Sequence, residues 1–445
     1  MAALEGLLRM EPRSLWRFTV SQGPVFGLLL FYIFLEYIRP QSRWEALAIL
    51  PWGQASILAC LALFFLYGGR ARLDNVGDAL LVIYTLLVVA SSFNAYRPAE
   101  SWSEFSTWVN WIIAYFLISR VVNTSGRFLM FQLGWMCWNL NMAQYAARSW
   151  ALNGFRFRSW GVTGSPGWFR NSGEFGIEMT LFLPITICFV IATRRYISGW
   201  KRWLLYGVPP VVLLGVVGSS SRGALVGVAA VGLWMLMISR RRVLALASLC
   251  AVVAAMLVIV PPQFKSRFEE MGSDPDSLRR LTYWADGLEI MQDHPFLGIG
   301  YNNWLAYYSN SYFPTHALEQ PEIFRRPQVS HNPFIQAGSE LGFPGLIVYT
   351  MMIMATIGLN FRTRQTAQHL SGPSQNFIVW SAHGLDGALM GYLASGFFVT
   401  VLYYPFFWIN LAMTVSLYRL TRDASPLQQR PRALPRHQTG PSATT

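Results

Sequence analysis

The sequence predicts an all-α integral membrane protein with about twelve transmembrane helices and one large, mostly helical loop. Hydrophobic residues make up 53% of the 445 residues and charged residues only 13%, against about 25% charged residues in an average soluble domain. Apolar runs that are long enough to cross a bilayer, about 17–25 residues each, recur along the chain. We therefore expect most of the chain to be embedded in a membrane.

The apolar runs form two groups on either side of a long polar insert, which covers about residues 262–341. Nine runs precede the insert and three follow it, so the loop would join helices 9 and 10. The runs lie near residues 20–38, 45–67, 77–93, 106–122, 128–146, 174–193, 203–218, 222–239, 243–261, 342–360, 377–399 and 401–419. The first run has no small-residue cleavage site and should be a retained anchor. Residues 1–423 would form one membrane domain, and residues 424–445, rich in Pro, Arg, Gln and Thr, a disordered tail.

The distribution of basic residues predicts the orientation, because cytoplasmic loops retain Lys and Arg. With the N-terminus in the cytoplasm, 21 of the 35 Lys and Arg residues fall on the cytoplasmic side. Both termini should then be cytoplasmic, and the insert should face the periplasm or the exterior. The net charge of +13 mostly reflects this bias, so it indicates anionic lipid headgroups as partners and not nucleic acid. All four cysteines lie in apolar runs, which excludes a disulfide framework and predicts that they fill the core.

A second exterior segment, about residues 147–172, mixes tryptophan and phenylalanine with four arginines, of which Arg170 directly precedes a predicted helix start at residues 172–174. Aromatic and basic residues together are typical of the membrane interface. The segment is therefore expected to be an interfacial anchor, with contact to a lipid-linked substrate as the alternative.

A serine-rich turn at residues 218–224 leads into the eighth apolar run. Ser221 and its neighbours are good N-caps, and Arg222 should lie in the first turn of the helix. Backbone N–H groups, the helix dipole and the guanidinium would then all favour an anion such as phosphate. The alternative is an arginine that reaches to lipid headgroups.

Inside the insert, Asp276 or Ser277 can cap a helix that runs to about Gln292, with apolar residues at helical spacing. Arg279 and Arg280 lie at its start. Arg280 and Trp284 are four residues apart, so the indole could pack against the arginine stem. A charge on a solvated helix face is the alternative for either arginine.

The insert ends in Ser330-His331-Asn332-Pro333. Asn332 is a good N-cap and Pro333 suits the first helical position, so a helix should run from Pro333 to Leu341 and end at Gly342. His331 lies just outside the positive end of this helix. The dipole disfavours imidazolium and leaves a neutral nitrogen that can accept a proton, although a histidine in a loop often has no catalytic role.

Taken together, these motifs resemble the O-antigen ligase and O-antigen polymerase superfamily of bacterial inner membranes. The resemblance rests on Ser-Ser-Ser-Arg222-Gly-Ala, Arg280 with Trp284, Pro295-Phe-Leu-Gly-Ile-Gly300, His331-Asn332-Pro333 and Glu340-Leu-Gly342-Phe-Pro-Gly345, in that order and in this topology. These motifs cover residues 218–345, whereas the first half of the chain resembles the family only in hydropathy.

The resemblance implies a glycosyltransferase that takes a glycan from undecaprenyl diphosphate at the periplasmic face of the inner membrane. An O-antigen ligase with a lipid A-core acceptor is the first expectation; the alternatives are an O-antigen or exopolysaccharide polymerase and a protein O-oligosaccharyltransferase. Carried over by position, His331 would be the base, and Arg222 and Arg280 would bind the diphosphate. Arg279 competes with Arg280, and Arg170, Ser221, Asn332 and Trp284 are further candidates for substrate binding.

No cofactor is expected. The carboxylates of the insert are scattered and match no metal-ligand spacing, and paired arginines can neutralise a diphosphate without a metal. A flippase or transporter, which usually places ionisable residues near the bilayer midplane, is the alternative from a different class, with Glu178, His383 and Asp386 as the candidate residues.

Overall fold

A computed structural model describes residues 2–156, 161–259 and 274–425. Within these ranges all regular secondary structure is helical and no β-strand occurs, which confirms the all-α prediction for the described chain. Residues 157–160, 262–273 of the predicted insert, and 426–445 of the predicted tail lie outside the described residues.

Seventeen α-helices follow one another in the ranges that the structure describes. They are α1 (Ala2–Leu8), α2 (Pro12–Ser21), α3 (Pro24–Ile38), α4 (Trp52–Leu66), α5 (Val76–Phe93), α6 (Pro98–Val121), α7 (Ser125–Leu152), α8 (Ser172–Thr193), α9 (Trp200–Gly218), α10 (Arg222–Ile238), α11 (Arg242–Ile259), α12 (Pro275–Asp293), α13 (Trp304–Ser311), α14 (Phe313–Glu319), α15 (Pro333–Ala367), α16 (Pro373–Gly396) and α17 (Pro405–Ala424). The predicted boundary near residue 423 falls at the end of α17.

Each predicted apolar run falls on one of the helices α3 to α11 or α15 to α17. Among the described residues, four helical segments are long and apolar enough to cross a membrane: Glu45–Leu66, Val76–Phe93, Ser172–Thr193 and Pro333–Ala367. A fifth results if α2 and α3, which are bent by 116° relative to each other, count as one span. The chain is thus a membrane protein, while the number of twelve spans and the side of each loop stay predictions.

The helix α16 lies at the centre of the bundle, where it packs against α8, α10, α15 and α17. Outside this bundle, α12 packs against α15. A separate small core of aromatic and aliphatic side chains, among them Tyr283, Tyr308 and Phe324, holds α12, α13 and the following loop together. The described part of the insert therefore has its own apolar core and packs against α15.

The cysteine prediction is correct for only two of the four residues. Cys60 and Cys188 are buried, whereas Cys137 and Cys250 are exposed on their helices. The outer face of a membrane helix contacts lipid and is as apolar as the protein core, so an apolar run does not tell which face a cysteine occupies.

The sharpest break in the bundle divides α15 in two. Gly342 has φ 71° and ψ −175° inside the helix, so a first helix ends after Leu341, as the sequence predicts. The segment 295–300 binds this break through its backbone: Ile299 N–H donates to the Ser339 carbonyl (2.9 Å) and Phe343 N–H to the Pro295 carbonyl (2.9 Å). Carbonyl and amide groups that the break leaves without helical partners are thereby hydrogen-bonded.

Candidate functional site

The serine-rich turn positions the first candidate side chain. Ser221 is the N-cap of α10, and its hydroxyl accepts a hydrogen bond from the backbone N–H of Ala224 at 3.3 Å. The turn is packed closely from outside, because Val162 N–H donates to the Gly218 carbonyl (2.8 Å) and a Cβ on Gly161 would come within 1.8 Å of the Ser219 carbonyl oxygen. Arg222 is the first residue of α10, as predicted.

Arg222 is held by a carboxylate that the sequence analysis did not single out. Its Nη1 lies 3.1 Å from Asp274 Oδ2, and its Nη2 lies 3.5 Å from Asp274 Oδ1. The same carboxylate caps α12 by accepting from the N–H groups of Asp276 and Ser277, both at 3.1 Å. Because Asp274 is the cap, the prediction of Asp276 or Ser277 is wrong by two or three residues. The start of α10 and the start of α12 are thus joined by one ion pair.

The electrostatics of Asp274 agree with this geometry. Burial alone would raise its pKa, but the hydrogen bond from the Ser277 hydroxyl (2.6 Å) and the interactions with Arg222 outweigh burial and lower the pKa to about 2. Asp274 is therefore ionised at neutral pH and fixes the direction of the Arg222 guanidinium.

The two neighbouring arginines of α12 have different surroundings. Arg279 pairs with Asp276 and donates from Nη1 to the Ile323 carbonyl at 3.2 Å. Arg280 has no hydrogen bond or ion pair with any residue in the described ranges. Burial lowers the pKa of Arg280, and the positive charge of Arg222 acts in the same direction. Arg279 thus pairs with Asp276 within α12 and holds this helix to the loop at Ile323. The N–H groups of Arg280 have no protein acceptor among the described residues, and its guanidinium lies close enough to Arg222 for the two positive charges to repel each other.

Trp284 does not support Arg280 in the way that the sequence predicts. Among the described residues no arginine lies over its ring; instead the ring packs against Phe397 at a centroid distance of 5.3 Å. Its indole N–H donates to the Ser330 carbonyl at 3.2 Å. Residues four apart share a helix face, but at Trp284 this face is covered by the large aromatic side chains Phe397 and Phe398 from the α16–α17 connection. Trp284 therefore holds the backbone next to His331.

His331 is more enclosed than the sequence suggests. It has a positive φ of 52°, its backbone N–H donates to Thr400 Oγ1 at 2.7 Å, and its half-buried ring lies parallel to that of Tyr283, with 6.2 Å between centroids. Nε2 lies 3.2 Å from Gln328 Oε1. With that oxygen as the acceptor, Nε2 carries the proton and Nδ1 the lone pair.

The pKa of His331 is lowered to about 4, first by burial and then by the positive charges of Arg280 and Arg279. The imidazole is therefore neutral at pH 7, as predicted, although the main cause is burial and not the helix dipole. His331 and Arg280 are thus close enough for the charge of Arg280 to affect the pKa of His331. The charge of Arg222 in turn lowers the pKa of Arg280.

The helix after His331 starts as predicted. The side chain of Asn332 accepts from the N–H groups of Phe334 (2.8 Å) and Ile335 (3.1 Å), and Pro333 is the first helical residue. Asn332 is 2% exposed and both of these bonds are internal, so its observed role is to cap the helix and fix the backbone that carries His331.

Glu340, in the last predicted motif, is also structural. Its carboxylate accepts from the Tyr403 hydroxyl at 2.8 Å and from the Trp304 N–H at 3.4 Å. Gly298 has φ 61°, and a Cβ there would lie 2.4 Å from the backbone of Glu340. The segment 295–300 and the Glu340-Leu-Gly342 motif thus pack tightly against each other and form one joint, which stabilises the end of the helix that begins beside His331.

Arg170 stands apart from these residues. Its side chain is exposed and has no partner within the described chain, and Asn171, not Arg170, caps α8 by accepting from Gly173 N–H at 3.0 Å. The structure joins Arg222, Asp274, Arg280 and His331 through direct contact or mutual charge effects, but it brings Arg170 to none of them.

Three contributing residues escaped the sequence analysis. Asp274 could have been found, because Asp before Pro is a usual helix start. Gln328 and Thr400 carried no signal, since Thr400 reaches His331 from the connection between α16 and α17, 69 residues further along the chain.

The ionisable residues of the membrane part are distributed differently. Asp386 pairs with Arg364 and accepts from Asn360 Nδ2 at 2.8 Å. Glu178 lies in the second turn of α8 and is 1% exposed. Within the described ranges no three His, Cys, Asp or Glu side chains come close enough together to hold a metal ion.

Comparison with known proteins agrees with the resemblance found in the sequence. Residues 181–350 match a family model described as O-antigen ligase. The matched segment contains Arg222, Asp274, Arg280 and His331, whereas Arg170 and Thr400 lie outside it. A comparison with curated proteins gives no match. Arg222, Asp274, Arg280 and His331 thus all lie in the part of this membrane protein that is similar to the O-antigen ligase family.

Proposed function

We propose that this protein transfers a glycan from undecaprenyl diphosphate to an acceptor hydroxyl at the periplasmic face of the bacterial inner membrane, as an O-antigen ligase with lipid A-core as acceptor. One observation carries the proposal: two arginines and a neutral histidine come from three helix starts and influence one another's charge. Such a group of residues can hold a diphosphate next to a base.

The two arginines would bind the diphosphate. Arg280 has no carboxylate partner in the described ranges, so its planar set of donors is available to phosphate oxygens in a bidentate arrangement. Arg222 is oriented by Asp274 at the positive end of α10, where backbone N–H groups also favour an anion. Together they would stabilise the negative charge that develops on the leaving diphosphate, without a metal ion.

His331 would act as the general base. The acceptor O–H gives its proton to Nδ1 of His331, the acceptor oxygen forms the new bond to the anomeric carbon, and the bond from that carbon to the phosphate oxygen breaks. Undecaprenyl diphosphate leaves with the electron pair. A single displacement of this kind inverts the anomeric carbon.

Binding of the donor would also raise the pKa of His331 and so make it a stronger base. A pKa of about 4 makes His331 a weak proton acceptor in the free protein. The negative charge of a bound diphosphate offsets the charge of Arg280, one of the causes of that low pKa. His331 would therefore become more basic once the donor is in place.

The supporting residues have distinct roles in this proposal. Arg279 is occupied by Asp276 and Ile323, so we assign the diphosphate to Arg280. Ser221, Asn332 and Trp284 would keep Arg222 and His331 in position, and the exposed Arg170 would meet the polar part of the lipid-linked donor at the membrane surface.

The acceptor distinguishes the ligase from its alternatives, which are an O-antigen or exopolysaccharide polymerase and a protein O-oligosaccharyltransferase. Deletion of the gene in its host, followed by analysis of lipopolysaccharide, secreted polysaccharide and glycoproteins, separates them. Loss of long O-chains with free core supports the ligase; lipopolysaccharide capped by single repeats supports a polymerase. A flippase, the alternative from another class, would move a labelled lipid-linked glycan across vesicles without joining it to an acceptor.

The direct test is His331→Ala in purified protein with a lipid-linked glycan donor. Loss of a general base typically lowers the rate by about 10²–10⁴-fold. The matched control is His294→Ala, because His294 lies in the same insert and contacts Tyr307 (3.3 Å); this variant should stay active. If His331→Ala retained more than half of the wild-type activity, His331 would not be the base.

A further inference from the structure

A second basic site lies at the opposite end of the helices. Near the candidate functional site, the start of α6 contacts the insert, where the Ser101 hydroxyl donates to the Tyr301 carbonyl at 2.6 Å. From Ser101 the helix continues to Arg120 in its last turn. At 1.5 Å per residue this distance is about 28 Å, close to the hydrocarbon thickness of a bilayer of about 30 Å. Arg120 therefore lies at the end of α6 that is remote from the candidate functional site.

A cavity of about 310 Å³ opens there, at the lower end of the range of ligand pockets, about 300–1,000 Å³. Its lining includes apolar residues such as Val25, Phe26 and Phe64. It also includes the polar residues Arg120, Asn123 and Arg127, and no lining residue is acidic. The cavity therefore combines positive charge with apolar surface.

Arg120 is a largely buried member of this lining. Its side chain is 7% exposed, and Nη2 lies 2.9 Å from Asp78 Oδ2. Asp78 also pairs with Arg419 at 2.7 Å. Because two guanidinium groups share this carboxylate, Arg120 keeps part of its positive charge for an anion in the cavity.

Arg127 adds a charge that no carboxylate balances within the described chain. Its hydrogen bonds go to neutral groups, which include Gln22 Oε1 (2.9 Å) and Asn123 Oδ1 (3.1 Å). Its guanidinium lies over the ring of Phe26, 5.8 Å from the centroid. Arg127 is thereby fixed beside an apolar residue of the cavity lining.

The surroundings of the cavity are suited to a membrane surface. The short helix α2 carries Arg13 and Arg17 together with Trp16, which is 71% exposed, and it meets α3 at the 116° bend beside the cavity. A basic amphipathic helix of this kind lies in the plane of the interface. Tyr67, at the end of α4, lines the cavity and is 69% exposed, so the cavity opens at the protein surface.

We propose that this cavity binds the phosphate headgroup of an anionic membrane phospholipid. The positive charges of Arg120 and Arg127 would attract the phosphate, and the first part of the acyl chains would pack against Val25, Phe26 and Phe64. The site is independent of the proposed transferase chemistry, because it lies at the opposite end of α6 and shares no residue with it.

The test measures lipid binding to the full-length protein in a neutral detergent. Native mass spectrometry follows the titration with phosphatidylglycerol, with a diacylglycerol that lacks phosphate, and with inorganic phosphate. We expect one saturable phosphatidylglycerol molecule per protein and at least tenfold weaker binding of the other two. Equal binding of the phosphate-free lipid, or of inorganic phosphate, would overturn the proposal.

Two variants locate the binding in the cavity. Asn123→Asp adds a negative charge at an exposed lining position and keeps the oxygen that Arg127 contacts, so the fold should persist while phosphatidylglycerol binds about tenfold more weakly. Val25→Phe fills the cavity without a change of charge and should also weaken binding. The matched control is Arg72→Gln, which changes the net charge by the same amount as Asn123→Asp on the exposed surface nearby and should alter binding less than twofold. Equal effects of Asn123→Asp and Arg72→Gln, or full binding by Val25→Phe, would show that the lipid binds elsewhere.

Discussion

The low pKa of His331 predicts an unusual response of the enzyme to acid. An ordinary histidine, with a pKa of about 6.5, is about 9% neutral at pH 5.5 and about 91% neutral at pH 7.5. With a pKa of about 4, His331 stays about 97% neutral at pH 5.5, by the same titration relation. If His331 is the base, kcat/KM should therefore change by only a few per cent between pH 7.5 and pH 5.5.

The assay is the initial rate of glycan transfer at donor concentrations far below KM, because kcat/KM reports the pKa values of the free enzyme. The pH dependence of kcat reports the pKa of His331 in the donor complex. Because the diphosphate offsets the charge of Arg280, this pKa should be higher, and kcat should fall at a higher pH than kcat/KM. A tenfold fall of kcat/KM from pH 7.5 to pH 5.5, with a midpoint near 6.5, would refute this account of His331.

A variant of the neighbouring arginine tests the cause of the shift. Arg279→Gln removes one of the two positive charges that lower the pKa of His331, so the acid limb of kcat/KM should move to higher pH. Arg325→Gln is the matched control, because it changes the net charge equally but its side chain is exposed and is not among the causes of the shift. Equal movement of both limbs would mean that the pKa depends on the overall charge and not on the local arrangement.

The stability of the protein should respond to the same group. The pKa of His331 is lower in the folded state than the value of about 6.5 in the unfolded chain, so the unfolded chain binds the proton first as the pH falls. Stability is therefore lost between about pH 6.5 and pH 4. His331→Ala should reduce this loss, which thermal unfolding at a series of pH values measures.

Three further predictions concern the arginines, metal ions and the joint behind the site. Arg222→Lys and Arg280→Lys keep the charge but lose the planar set of donors, so donor binding should weaken in each, and the double variant should lose less than the sum of the two; near-normal rates in both single variants would place the diphosphate elsewhere. Transfer should persist in excess EDTA, and loss of activity that Mg²⁺ or Mn²⁺ restores would contradict the arginine mechanism. Gly298→Ala should destabilise the fold by more than about 2 kcal/mol, from a positive φ and from a 2.4 Å approach to the backbone of Glu340; an unchanged midpoint of thermal unfolding would contradict the joint.

Several positions of the site were predictable because helix starts depend on a few neighbouring residues. Ser221 with Arg222 and Asn332 with Pro333 lie where the capping rules place them. The same rules apply to Asp274 before Pro275, but the sequence analysis considered only Asp276 and Ser277 as caps of that helix.

Partners across helices were not predictable in this way. The Arg222–Asp274 pair spans 52 residues, and the contact between Trp284 and Phe397 joins two regions that are more than one hundred residues apart. A spacing of four residues shows which side chains share a helix face, but it does not show which other helix covers that face. For this reason the expected packing of Trp284 against Arg280 is absent among the described contacts.

The sequence by itself determined the membrane class, the all-α fold, the main helix starts and the resemblance to the O-antigen ligase family, because these depend on hydropathy and on short local motifs. Only the tertiary structure decided that Arg280 is available while Arg279 is occupied, that burial lowers the pKa of His331, and that a basic cavity lies at the opposite end. The physical reason is that solvent exposure and charge effects depend on distances between side chains that are remote in sequence. Those distances exist only after the helices have packed.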